Sequence, residues 1–278
     1  MRATRSSSAA GAARSAGEGF ANSHAFEALA RAGFVARGLV YAIIGVLALR
    51  LALGDGGKIT NQQGALHTVA HQSFGKFLLI LVAIGLGGYS LWRLLRAALG
   101  HGPEGSDSSF DRVAAVASGL VYGAMCFLAV DILTGSSGGN ASNAKKTTAG
   151  VFTWPGGTWI VGIAGAVMIG VALYQGYRGI TKKFLDDSKT EQMGPRMKEW
   201  IGRIGTVGHL ARMVVFGLVG IFLIKAAIDS RSRDAVGLDG ALAKLLNRTY
   251  GSYALGTVAA GLIAFALYSL SDARYRRI

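Results

Sequence analysis

Arg37, Tyr41 and Gly45 stand four residues apart, and so do Arg212, Phe216 and Gly220. On a helix this spacing stacks the three side chains on one face. Ser118, Tyr122 and Cys126 keep the same interval between them. A second pattern runs glycine, an aromatic four residues on, another aromatic three later, then arginine: Gly85, Tyr89, Trp92, Arg93, and again Gly170, Tyr174, Tyr177, Arg178. Guanidinium groups beside aromatic rings can grip a carboxylate or phosphate through a planar fork. The same residues can instead anchor helices at a membrane surface, with rings in the headgroup belt and arginine stems snorkelling to water. Both readings are open from the sequence. The candidate site for an anionic headgroup or ligand therefore comprises Arg37, Tyr41, Tyr89, Arg93, Tyr174, Arg178 and Arg212.

Other chemistry is poorly represented. There is no G-x-S-x-G, H-E-x-x-H or phosphate-loop GK[ST] motif. Cys126 is the single cysteine, which excludes an intrachain disulfide and reads as a small apolar packing residue. His67 and His71 have an i, i+4 spacing that can hold a metal, but no glutamate follows His67, and interfacial polar residues are the better reading. Carboxylates are nearly absent from the apolar runs, with Asp131 and Asp229 at their outer ends. Proton-coupled transport usually needs acidic or histidine relays within spans. The expectation is a non-enzymatic protein with no cofactor and no metal.

The elements that must carry these residues are membrane-length. Hydrophobic residues are 51% of the 278 and charged residues 16%, against roughly 25% charged in soluble domains. Six nearly charge-free runs, about 33–53, 75–95, 113–133, 157–177, 208–228 and 251–271, each approach the ~20 residues a bilayer-crossing helix needs. The chain also repeats itself. Ala36 to Gly45 aligns with Ala211 to Gly220, Gly64-Ala65-Leu66 with Gly240-Ala241-Leu242, and Phe74-Gly75 with Tyr250-Gly251. Gly85, Tyr89 and Trp92 align with Gly261, Phe265 and Tyr268, and a weaker middle copy lies between. The predicted fold is all-α: six transmembrane helices as three repeated hairpins, over about 25–100, 108–186 and 198–278, with approximate threefold pseudosymmetry. The 41 glycines suit close helix packing in lipid. Gly119-xxx-Gly123 and Gly162-xxx-Ala166-xxx-Gly170 carry that spacing, for packing within the chain or for an oligomer interface.

Residues 1–24, rich in Ala, Ser, Gly and Arg, read as a disordered tail without the apolar core of a secretory signal. Six spans put both termini on one side, and 19 of the 29 Lys and Arg fall there. The positive-inside rule makes that side cytoplasmic, in a multi-pass protein of the cell membrane. The net charge of +14 sits in short loops beside spans, where it sets topology and meets anionic lipid; nucleic acid is not an expected partner. On the opposite side, Ile59 to Phe74 and Val236 to Tyr250 place apolar residues at helical spacing. They predict short amphipathic helices lying in the outer interface. In the middle unit Val151, Phe152, Trp154 and Trp159 suit an aromatic belt, with Pro155 interrupting.

GALHTVAHQSFGKFLL, the spacing G-x-x-x-Y-x-x-W and the ending ALYSLSDARYRRI resemble an actinobacterial membrane family known as domain of unknown function 1206. The resemblance covers about residues 27–278. It implies three copies of a two-helix unit and no assigned activity. Arg274-Tyr275-Arg276-Arg277 matches the family's closing A-R-Y-R-R, and Ser73 and Thr249 replace the proline that often precedes its loop-ending aromatic. Three hairpins are also similar in architecture to mitochondrial carriers, whose signature is missing. The expected role is a scaffold or accessory protein binding membrane lipid, anionic lipid included, or a membrane protein partner. The alternative is a passive channel or small-solute permease around the pseudo-axis. A filled apolar axis would favour the first and a continuous polar cavity the second.

Overall fold

The computed structural model describes residues 24–71, 75–99, 109–134 and 143–277. Helices occupy most of that length: α1 (His24–Ala52), α2 (Gln62–Ala70), α3 (Gly75–Leu99), α4 (Ser109–Leu133), α5 (Asn143–Phe152), α6 (Gly157–Thr181), α7 (Pro195–Ile228), α8 (Leu238–Leu246) and α9 (Gly251–Tyr275). Six of them, α1, α3, α4, α6, α7 and α9, are long and apolar enough to cross a membrane. Among the described residues there is no strand, and one isolated antiparallel bridge joins Ser188 to Arg276. The tail expected over residues 1–24 lies outside the described residues, apart from His24.

The apolar runs foretell one end of every span better than the other. Away from the termini, the helices stop or start at Ala52, Gly75, Leu133, Gly157, Ile228 and Gly251, within a residue of the hydropathy limits. At the terminal end they run on, beginning at His24, Ser109 and Pro195 and finishing at Leu99, Thr181 and Tyr275. The extensions hold polar residues that bond one another there, so the helices continue past the apolar windows. α7 has 34 residues, about 51 Å at 1.5 Å per residue, well beyond the ~30 Å hydrocarbon core of a bilayer.

The spans pack in a definite order. α1 lies between α3 and α9, α4 lies against α3, and α7 lies between α6 and α9. Each span that opens a unit therefore rests on the closing span of another unit. In the first and third units the two spans of the unit also pack together, whereas α4 and α6, the pair of the middle unit, do not pack closely. Val40, Ile44, Leu79, Leu86, Leu255 and Leu262 are among the buried side chains of the central core. Glycine brings helices together at matching points. A Cβ on Gly45 would lie 3.0 Å from the Ala259 oxygen, and one on Gly220 would lie 2.9 Å from the Gly165 oxygen. Gly119 and Gly123 face Leu94 and Ser90 of α3 as small packing residues should. The Gly162, Ala166, Gly170 stripe differs: Ala166 and Gly170 are exposed. The face of α6 turned toward α7 runs instead through Gly165, Gly176 and Gly179, so the stripe lies beside the contact.

Short helices form at both outer sites the sequence predicts. α2 buries Ala65, Leu66 and Val69, and α8 buries Leu238, Ala241 and Leu242. Their apolar faces turn onto the bundle, α2 on α1, α3 and α4, and α8 on α7 and α9, rather than into surrounding lipid. Asn61 caps α2, its side chain accepting from the Gly64 amide at 3.0 Å. α5 was not foreseen, because NAKKTTAGVF carries few apolar residues at helical spacing. After each short helix the chain turns back through a glycine pressed on the preceding carbonyls. A Cβ would lie 2.6 Å from the Ala70 carbonyl carbon at Gly75, 2.8 Å from that of Val151 at Gly157, and 2.8 Å from the Leu245 oxygen at Gly251. Trp154 and Trp159 are exposed beside the middle turn.

Candidate functional site

Arg37 leaves α1 at the terminal end and is buried. Its fork is fully engaged. Nε donates to Ser269 Oγ at 2.6 Å, Nη1 to the Tyr89 hydroxyl at 3.1 Å, and Nη2 to Asp272 Oδ2 at 2.7 Å. Phe34, Tyr89 and Phe265 rings lie 5.1, 5.5 and 5.3 Å from its guanidinium carbon. Three helices thus converge on one cation: α1 supplies it, α3 a phenol, α9 a hydroxyl and a carboxylate. Close approach makes this possible. A Cβ on Gly33 would lie 2.5 Å from Tyr89 Cβ, and in the third unit one on Gly208 would lie 2.6 Å from Phe265 Cα. Arg93 joins from α3, donating through Nε to the same Tyr89 hydroxyl at 3.1 Å and lying over the Tyr89 and Trp92 rings.

A connection after α6 closes this end. Lys182 takes a left-handed conformation, φ 55°, and the following 3-10 turn, Lys183–Leu185, buries Phe184. That ring stacks on His209 at 4.8 Å and meets Tyr268 edge-on at 5.1 Å. Asp187 then pairs with Arg178 of α6 at 2.6 Å and with Arg276 beyond α9 at 2.5 Å. Backbone bonds fix the strap: the Lys189 amide donates to the Tyr275 oxygen at 2.7 Å, and the Arg277 amide to the Asp187 oxygen at 3.0 Å. Arg276 also approaches Asp272, at 3.9 Å. Burial works against the Arg276 charge, but Asp187 and then Asp272 outweigh it, and the net effect raises its pKa and holds it as a cation. Arg31 secures the other side, donating through Nη1 to the Ala273 oxygen at 2.5 Å and the Arg274 oxygen at 2.9 Å, the last carbonyls of α9.

Arg212 has different company. Its guanidinium lies over Tyr41, Phe216 and Phe265 at 5.5, 4.9 and 4.4 Å. With the Gln175 amide oxygen turned toward it, that oxygen accepts from Nη1 at 3.0 Å and Nη2 at 2.9 Å. Nε is buried with no hydrogen-bond partner. Among the described residues no carboxylate pairs with Arg212.

The seven residues singled out from the sequence thus fall in one contiguous cluster with unequal roles. Arg37 and Arg178 are bound to carboxylates of the chain itself, Tyr89 links Arg37 to Arg93, and Tyr174 lies 6.0 Å beneath Arg178. Tyr41 meets Phe265 at 4.9 Å and shares the Arg212 side. Arg37 neither snorkels to a surface nor lines an open pocket; a buried cation with an acid in reach stays inside. Sequence reading missed Asp272, Asp187, Ser269, Gln175 and Arg276. The one available signal was Asp272 four residues before Arg276, the helical spacing of an ion pair. His67 and His71 are not joined by further ligands: among the described residues there is no metal-holding group of His, Cys, Asp and Glu.

A family model described as "Domain of Unknown Function (DUF1206)" matches the chain three times, over residues 32–108, 113–182 and 207–276. Each match covers one pair of spans. An uncharacterized protein, YxxB of Bacillus subtilis (strain 168), is 33% identical over 251 residues, 89% of this chain and 90% of the relative. That relative does not come from an actinobacterium, and neither description names an activity. No solved structure matches.

Proposed function

The chain belongs to the family of domain of unknown function 1206, and from that premise we propose a non-enzymatic scaffold or accessory protein of the cell membrane that binds anionic lipid or a membrane protein partner. The observation that carries this reading is the filled centre of the bundle. Tyr41 meets Phe265 at 4.9 Å, and Tyr89 meets Tyr122 at 4.5 Å, edge to face, so rings from α1, α9, α3 and α4 interlock. Val40, Ile44, Leu86 and Leu262 fill the adjoining layers. Conduction needs a wettable path, and packed rings at the core support the scaffold over the channel. The basic cluster at the terminal end favours an anionic partner.

The experiment is purification in native nanodiscs, followed by identification of co-purified lipid and protein, beside solute and ion flux in proteoliposomes. Enriched anionic lipid or a stoichiometric partner, without flux above protein-free vesicles, is expected. Flux well above that background would replace the scaffold by the permease. The excess of Lys and Arg on the terminal side supports cytoplasmic termini. Cysteine labelling of intact cells in a Cys126→Ser background should mark a cysteine placed at Lys58 and spare one placed at Lys198; the reverse pattern would invert the orientation.

A further inference from the structure

We propose that Arg212, with the Gln175 amide beside it, binds the phosphate or carboxylate head of an anionic amphiphile that enters between α4 and α6. The proposal rests on the lipid-binding reading above and gives it a location.

The argument starts from matched packing. Arg37 and Arg212 hold the same repeat position, so Gly38 matches Met213. A Cβ on Gly38 would lie 3.1 Å from Leu270 of α9, and one on Gly176 of α6 would lie 3.3 Å from Met213 Cγ. Leu270 on α9 therefore corresponds in space to Gly176 on α6. Counting along both helices from that point, Ser269 corresponds to Gln175 and Asp272 to Arg178. The hydrogen bonds agree: Ser269 serves Arg37, and Gln175 serves Arg212. Where Arg37 finds a carboxylate, Arg212 finds a second cation, and Arg178 turns away to Asp187.

Among the described residues no acid of the cluster fills the place. Asp187 and Asp272 are engaged by Arg178, Arg276 and Arg37. Arg212 keeps a buried Nε without a partner. Leaving a buried charged donor unsatisfied is costly, and an intramembrane arginine without an acid calls for an external anion. Aromatic rings of α1, α7 and α9 cover three sides of the guanidinium. The fourth neighbour is Gln175 of α6, and α6 does not pack closely on α4. Along that seam Tyr122 of α4 is only half-buried. Arg212 itself is half-buried rather than sealed. A lipid can present its head there while its tail stays beside the spans.

The test uses the full chain in phosphatidylcholine nanodiscs with a minor share of phosphatidylglycerol, read by native mass spectrometry and thermal unfolding. Wild-type protein should retain phosphatidylglycerol in excess of its share. Gln175→Glu should lower that excess about tenfold, because a carboxylate would then occupy the spot that already takes both Nη atoms. This variant should melt no lower than wild type in phosphatidylcholine alone, which separates lost binding from lost folding. An excess undiminished in Gln175→Glu overturns the site and leaves lipid binding elsewhere intact. No excess in the wild type overturns the site and the lipid reading together. Inorganic phosphate added to protein in pure phosphatidylcholine separates the sources. A melting rise equal to that from phosphatidylglycerol would make the ligand a soluble anion and overturn the lateral route.

Discussion

Arg37 and Arg212 sit at matching points of the first and third units, yet one is saturated and the other is not. Around Arg37, Ser269, Tyr89 and Asp272 give each of the three guanidinium nitrogens a partner. Around Arg212, aromatic faces and one amide oxygen take most of it. α6 lies along α7 shifted by about one helical turn relative to α9 along α1. That shift puts Arg178 where an acid would stand. A duplicated unit can thus keep a residue type while dividing its work: one copy ties helices together, and its twin stays free to meet something else.

The largest test of this contrast is Asp272→Ala. It strips the shared carboxylate from Arg37 and Arg276, and breaking a buried pair typically costs about 3–5 kcal/mol. Thermal unfolding in detergent should show a melting point far below wild type; a loss under ~1 kcal/mol would mean that the first copy ties nothing. Lysine comes next. Arg37→Lys keeps the charge but strands Ser269 and takes one of two donors from the Tyr89 hydroxyl, for a loss of about 2–3 kcal/mol. Arg212→Lys should lose about 1 kcal/mol, mostly from stacking. Both variants should insert normally, and equal losses would erase the difference between the copies. Gly251→Ala offers a control, since all three units share this tight turn. An added methyl against Leu245 and Leu246 should cost about 1–2 kcal/mol, and Gly75→Ala and Gly157→Ala should cost the same. Smallest of all is Cys126→Ser in the middle unit, where Sγ donates to the Ala83 oxygen at 3.2 Å. The hydroxyl can keep that bond, so unfolding should move by less than ~1 kcal/mol.

Much of the fold was legible in the sequence because lipid imposes a simple rule on span length. Six apolar runs marked six helices, and the Gly-led repeat marked their grouping. The helix ends near the termini were not legible. Hydropathy treats Arg31, Arg93 and Asp272 as signs of water, whereas here each finds a partner within the bundle. Asp272 lies just past the last apolar window, so it went uncounted among carboxylates within reach of the spans. Gln175 was equally hidden: nothing in its neighbours signals that a shift along α7 brings it to Arg212. The arginines and tyrosines were recognised because their spacing repeats. Their partners were not, because Ser269, Asp272 and Asp187 come from elements far away in the chain and obey no local period.

Arg37 and Asp272 are separated by 235 residues. At roughly 5–20 residues per second of synthesis, the arginine exists for roughly ten to fifty seconds before its acid is made. During that interval the first span holds a bare cation, for which a depth near the bilayer centre would cost about 2.5–3.5 kcal/mol. The strap from α6 likewise waits, since Asp187 needs Arg276 and its backbone needs Tyr275 and Arg277. Biogenesis therefore has a built-in late step. Spans can enter the bilayer one after another, but this end closes only once residues 272–277 have left the ribosome. A chain cut just before Asp272 is expected to be inserted along most of its length but left open at the Arg37–Asp272 and Asp187–Arg276 joints.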